Sequence, residues 1–222
     1  MDINQALVRL DLWPTWLEIG CAHAKAARTA GERLRPDLPD ADKYEVLTEE
    51  LQAGLVALTA FAFAFDGFYD TVKAEMGPHP DQLTWKKKRT ARDAQVTETL
   101  RYRLKLGPKF SEHLRMLIKQ LFEFRDHAVH PTSKFVDPSY RPQIDSGVHP
   151  HLITFSGPHA VQTCALSLEV LSRLVERAAD RPAPGADMGW LDRGRTELAR
   201  LSSAYRIPGD DVLAFPPHAD PE

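Results

Sequence analysis

A chain of 222 residues, 43% hydrophobic and 27% charged, suits one well-packed domain with appendages, or at most two small domains. Its two cysteines, Cys21 and Cys164, exclude a disulfide framework and supply no metal-ligand spacing, which points to reduced thiols in a cytoplasmic protein. The net charge of -3 excludes an extreme balance overall, and Asp2, Asn4, Arg9 and Asp11 interrupt any leader-like apolar run.

Weak helical periodicity covers Pro14 to Leu34, and the proline-bearing stretch Arg35-Pro36 to Pro39-Asp40 ends it. From Tyr44 to Met76 apolar residues recur in steps of three and four: Tyr44, Leu47, Leu51, Leu55, Leu58, Ala62, Phe65, Tyr69, Val72 and Met76. Phe61, Phe63 and Phe68 fall on other faces, so the middle of this helix is apolar nearly all round and belongs at the centre of a bundle. Its longest apolar stretch, Gly54 to Phe65, is shorter than the roughly 20 residues of a membrane span, so no membrane partner is expected.

Gly77-Pro78-His79-Pro80 closes that helix, a weaker one spans Thr90 to Leu106, and Gly107-Pro108 precedes the next. The stripe Phe110, Leu114, Leu117, Leu121, Phe124, Ala128 then runs to a proline-, histidine-, serine- and glycine-rich loop over 131–158. Within this loop Leu152 to Phe155 reads as a short extended piece. Gly157-Pro158 opens another stripe, Val161, Cys164, Leu168, Leu171, Val175 and Ala178. A hinge at 181–187, a weak helix from Met188 to Tyr205 and a tail from Pro208 complete the chain. The fold class is all-α, an up-and-down helical bundle of about six helices with a long loop after the fourth. The expected divisions are an N-terminal helix packed on the bundle (1–39), the bundle (40–180), a C-terminal helix (181–207) and a flexible tail (208–222).

Charge is unevenly spread. Between Lys86 and Arg125 twelve Lys or Arg residues face four acids, a balance of +8 that leaves -11 over the rest. Such a block fits a polyanion-binding surface, and charge alone slightly favours a solvated helix face.

Two charged residues sit beside apolar stripes. Arg125 follows the stripe residue Phe124, and Asp66 lies in the apolar stretch Ala60 to Tyr69. Buried charges are costly unless paired, so Arg125 and Asp66 are expected to face each other across two packed helices. His130 stands five residues past Arg125, a rotation of about 500° on an ideal helix, so the two share no face if the helix continues. Pro131 disfavours helical geometry at His130, and a helix C-terminus favours a protonated imidazole.

Phe124-Arg125-Asp126-His127-Ala128-Val129-His130-Pro131 resembles the signature of the HEPN superfamily: Arg, then Asp, Asn or His, three variable residues, then His. Ala60-Phe61-Ala62-Phe63-Ala64-Phe65-Asp66-Gly67-Phe68 is similar to the alanine- and phenylalanine-rich central helix of many members, and the likeness covers about residues 40–180. It implies a cytoplasmic, metal-independent, cofactor-free endoribonuclease (a hydrolase) acting as a homodimer, with Arg125 and His130 of both copies lining one cleft. Asp126 would orient His130 or Arg125, and Asp66 would hold Arg125. The cations Lys86, Lys87, Lys88, Arg89, Arg101 and Arg103 would bind RNA. Toxin–antitoxin and phage-defence roles occur in such proteins, and a partner antitoxin is then implied. In one toxin subgroup a tyrosine two positions after the histidine is nucleotidylated. Here Thr132 holds that place, which speaks against that regulation. Some members are instead non-catalytic dimerisation, ligand- or RNA-binding modules.

His127, His130, His149 and His151 also raise a transition-metal site. No cysteine, and no acid at zincin spacing, joins them, so no metal is expected and the loop histidines are placed in solvent or near the cleft.

Overall fold

The computed structural model describes residues 10–130, 135–181 and 188–205. The expected tail at 208–222, most of the expected hinge at 181–187, and Pro131 lie outside the described residues.

The described chain is all-α apart from one small hairpin. Its helices are α1 (Trp13–Gly31), α2 (Asp40–Met76), α3 (Gln82–Lys88), α4 (Arg92–Leu104), α5 (Pro108–Val129), α6 (His151–Thr154), α7 (Gly157–Ala179) and α8 (Gly189–Tyr205). Between α5 and α6, β1 (Ser139–Arg141) and β2 (Ser146–Val148) pair antiparallel, Tyr140 opposite Gly147, around the 3-10 turn Pro142–Ile144. Each of the five longer expected helices and the C-terminal one is present within a few residues of its expected bounds. The count exceeds six because α3 and α6 are short, seven and four residues, below the length at which periodicity is visible.

The central place of α2 follows from its sequence. Ala57, Leu58, Ala60, Phe61, Ala62, Ala64, Phe65 and Phe68 are all buried, so the middle of the helix meets neighbours on most of its circumference, and Val56, Thr59, Phe63 and Asp66 form the partly exposed stripe that remains. By length and composition α2 is apolar enough to cross a membrane, and half of that apolar window is buried in core contacts with other helices. Tyr44, expected to open the stripe, is instead 75% exposed, because burial near this end of α2 falls to Val46, Leu47 and Glu50.

α1 runs antiparallel to α2. Trp13 meets Phe68 edge-on at 5.4 Å, and near the other end of α1 Gly31 approaches Glu50. The N-terminal helix is thus an integral wall of one core, with Trp13, Leu17, Cys21, Ala24 and Ala27 in the same apolar cluster as α2, α4, α5, α7 and α8. α4 and α5 form an antiparallel pair whose register shows in the 3.0 Å contact of Arg115 with Glu98.

The segment after α5 differs from expectation. Leu152 to Phe155 is not extended: His151–Thr154 is a helical turn, closed by the Phe155 N–H on the His151 carbonyl. The strands lie earlier, where Tyr140, Arg141 and Val148 supply extended residues. The hairpin docks on the start of α2 through a satellite cluster of Leu34, Val46, Leu47, Ile144 and Val148.

A buried ion pair ties these pieces together. Glu50 and Arg141 are 1% and 2% exposed, and an Arg141 Nη2 donates to Glu50 Oε2 at 2.5 Å. Arg141 Nη1 donates to the Leu152 carbonyl at 2.9 Å, and the Gly157 N–H donates to Glu50 Oε1 at 2.8 Å. The carboxylate therefore sits at the N-terminus of α7, where the helix dipole favours an anion. Glycine is required nearby because backbones touch. A Cβ at Gly54 would overlap the Phe155 carbonyl, and one at Gly157 would lie 2.7 Å from the Ala27 carbonyl oxygen.

Arg141→Met should strand a buried carboxylate and lower the unfolding free energy by about 3–5 kcal/mol. Glu50→Leu combined with Arg141→Met should recover part of that loss, because no lone charge then remains in the core. Denaturant unfolding of both single variants and the double variant checks this. Losses that simply add would show that the two residues do not act as a pair.

Candidate functional site

α5 carries the Arg125…His130 segment to the end of the bundle. The helix ends at Val129, and His130 leaves helical geometry at φ -123°, ψ 63° while its N–H still donates to the Asp126 carbonyl at 2.8 Å. The expected helix end at His130 is the observed one. His130 is exposed, as are Asp126 and His127.

Arg125 does not meet Asp66. Its Nε and Nη2 both donate to Asp126 Oδ1, at 3.0 and 2.7 Å, and its guanidinium lies over the Phe122 ring at 4.4 Å. The partner of Asp66 is Arg92, from the first turn of α4, with Nε 2.7 Å from Asp66 Oδ1 and the guanidinium stacked on Tyr69 at 4.5 Å. That contact raises the Arg92 pKa further even though burial opposes it. Helix register explains the correction. Arg115 sits level with Glu98, so Arg125 lies about 15 Å along the bundle from that level and Arg92 about 9 Å. Arg125 therefore passes Asp66 by more than a helical turn. Asp66 also keeps 27% of its side chain exposed, so its need for a partner is weaker than the apolar sequence around it suggests.

The expected RNA-binding cations divide into two groups. Lys86, Lys87, Lys88 and Arg89 stand exposed at the end of α3, with Arg89 in the left-handed region at φ 51°. Arg101 is held by Glu98 at 2.6 Å, and Arg103 donates to the Pro78 carbonyl and lies over the Tyr102 ring. Burial pushes the Glu98 carboxyl up, but hydrogen bonds from Arg101 and Arg115 outweigh it and hold the group below its ordinary range. Along the bundle axis Arg103 is about 20 Å from Arg125, so Arg101 and Arg103 do not share the motif's locus. α3 itself is pinned by His79, stacked on Trp85 at 4.4 Å and edge-on to Tyr102 at 4.8 Å. A stacked His/Trp/Tyr group has no short-range signature, and the reading from sequence missed it.

What the fold does gather around the motif is histidine. The His127 and His151 rings lie nearly parallel with centroids 5.9 Å apart, and His149 is 4.8 Å from His151. The His149 Nδ1 accepts the His151 backbone N–H at 3.2 Å. Phe155 lies under His151, while Phe124 meets both Phe155 and His159, and a His159 ring nitrogen lies 2.5 Å from the Thr154 carbonyl. The buried Glu50–Arg141 pair grips Leu152 and Gly157 on either side of Phe155, and so sets His149 and His151 against the last turn of α5. Their separation of more than twenty residues from His127 hid this grouping from the sequence. Among the described residues no set of three or more His, Cys, Asp or Glu side chains converges as a metal site.

Burial, with the nearby His149 and His127, holds the His151 pKa below its ordinary value of 6.5. A neutral imidazole beside two exposed imidazoles can accept and pass on a proton. No family model, no curated protein and no solved structure matches this chain.

The depressed His151 value has a stability consequence. The unfolded chain binds this proton more readily, so stability is complete above about pH 6.5 and is lost as pH falls through the lower folded value. Thermal unfolding from neutral to mildly acid pH should show this decline, and His151→Gln should flatten it. An unchanged pH profile in His151→Gln would mean that burial of this ring does not couple to folding.

Proposed function

We propose that the protein is a metal-independent endoribonuclease of the HEPN kind, acting in the cytoplasm on single-stranded or looped RNA. The observation that carries this reading is the exposed helix end at His130, with His127 of the same last turn set against His151 and His149. One imidazole removes the proton of a ribose 2′-OH, which attacks the adjacent phosphate. The Arg125 guanidinium takes charge on the developing pentavalent phosphate, and a protonated imidazole supplies the leaving 5′-oxygen with its proton. The products are a 2′,3′-cyclic phosphate and a 5′-hydroxyl.

A second copy of the chain completes the reading. Val129 on α5 and Ile153 on α6 are exposed apolar residues on the two elements that carry the site, and a closed two-fold contact there would bring two motifs together. Lys86, Lys87, Lys88 and Arg89 are the exposed cations suited to the RNA backbone, with Arg101 and Arg103 already engaged. A toxin or phage-defence role, with an antitoxin as partner, is the setting this reading suggests. The Arg125–Asp126 pair favours a second reading, a non-catalytic dimerisation or RNA-binding module, because the guanidinium is already neutralised within its own helix.

The purified chain should cleave a mixed RNA panel in EDTA and leave DNA intact. His130→Ala should abolish cleavage while remaining folded. Arg125→Lys should lose roughly 10²–10³-fold, since an ammonium cannot supply paired planar donors. Arg125 variants should fold normally, because Asp66 keeps Arg92. A folded dimer that binds RNA without cutting it would favour the non-catalytic module.

A further inference from the structure

The two cysteines, 143 residues apart in sequence, are brought together by the packing of α1 on α7, with Cys21 Sγ and Cys164 Sγ only 2.9 Å apart. Both residues are almost wholly buried, and both are free thiols. Buried cysteines commonly serve as small hydrophobic groups with no chemistry of their own. Here a second observation stands beside the contact. Both cysteines line a cavity of about 370 Å³ between α1, α7 and the end of α8, whose other walls include Lys25, Arg28, Glu32 and Tyr205. The sulfurs thus touch each other and border a space large enough for a small reagent.

We propose that Cys21 and Cys164 form a redox-active dithiol that is oxidised to an intramolecular disulfide by a small organic disulfide entering this cavity. One cysteine sulfur, as thiolate, attacks a sulfur of the incoming disulfide, forming a protein mixed disulfide and expelling one thiolate. The second cysteine gives up its proton and attacks the protein-side sulfur, forming the Cys21–Cys164 bond and expelling the second thiolate. The two protons end on the two released thiols, so the protein loses two electrons and the reagent gains them. Only a short approach separates the observed contact from the covalent distance of about 2.05 Å. The hydrogen bond with Cys164, then burial, raise the Cys21 pKa, which keeps the Cys21 thiol protonated and the exchange slow until the oxidant is abundant. The bridge would tie α1 to α7 across most of the chain, and this inference does not depend on the ribonuclease reading.

The test incubates the folded, reduced full chain with oxidised glutathione at millimolar concentration. The expected product is a chain lighter by two hydrogens and not covalently linked to a second copy, with a Cys21–Cys164 cross-linked peptide in a non-reducing digest and an unchanged far-UV circular dichroism spectrum. Its Tm should rise by roughly 5–15 °C, reversibly on addition of dithiothreitol. Cys21→Ser and Cys164→Ser should each retain one glutathione at the remaining cysteine, because the resolving sulfur is gone. Should serine at either buried position unfold the chain, Cys21→Ala and Cys164→Ala give the same readout. The proposal is overturned if both thiols remain free while the chain stays folded, if the cross-link forms only on unfolding or between molecules, or if the single variants take up no glutathione.

Discussion

Glu50 is a carboxylate on the buried side of a helix whose next turns are alanine and phenylalanine, and its charge dictates much of what surrounds it. A buried carboxylate is tolerated only when its oxygens are matched, and here each oxygen has its own donor: the Arg141 guanidinium on one and the Gly157 N–H on the other. Those two donors come from the hairpin and from the first turn of α7. One carboxylate thus fixes three separate parts of the chain at once, and Arg141 extends the grip to the Leu152 carbonyl. Such a pair adds less net stability than its Coulomb attraction suggests, because both ions are stripped of water. Its larger effect is to fix geometry, since any shift of the hairpin or of α7 would leave a charge unmatched in the core.

The candidate site inherits its order from that arrangement. α5 brings Arg125, His127 and His130 to the bundle end, but nothing in α5 itself places other groups opposite His127. His149 and His151 are there because the chain between the hairpin and α7 is held at Leu152 and Gly157, with Phe155 pressed so closely on α2 that only glycine fits at position 54. Phe124, Phe155 and His159 form the floor, and imidazoles stand above it. The depressed pKa of His151 reflects this crowding: a partly desolvated ring with two more imidazoles beside it resists a further positive charge.

The basic block shows how folding edits a charge pattern. Of the cations between Lys86 and Arg125, Arg92 turns to Asp66, Arg101 and Arg115 share Glu98, Arg103 turns to a backbone carbonyl, and Arg125 folds back on Asp126. The exposed cluster Lys86, Lys87, Lys88 and Arg89 at the end of α3 remains open to a polyanion, as do Lys105 and Lys109 at the α4–α5 turn. The sum of +8 seen in the sequence therefore overstates the field at any one place, because paired charges on a surface largely cancel within a Debye length of about 8 Å.

Helix identity was legible in the sequence because burial repeats locally: the three-and-four spacing of α2, α5 and α7 reports a face, whatever the partner, and Gly-Pro steps mark where α5 and α7 begin. The end of α5 at His130, and the central place of the alanine- and phenylalanine-rich helix, belong to this local class. Partnerships between distant residues do not. Arg125 and Asp66 each looked in need of an opposite charge, and the pairing was wrong because the axial register of α4, α5 and α2 is set by packing and not by any periodicity. The hairpin at Ser139–Val148, the Glu50–Arg141 pair, the histidines gathered at His151 and the contact of Cys21 with Cys164 are of the same kind. Each joins groups far apart in the chain, and only the closing of one shared core, with its need to match every buried charge, decided where they meet.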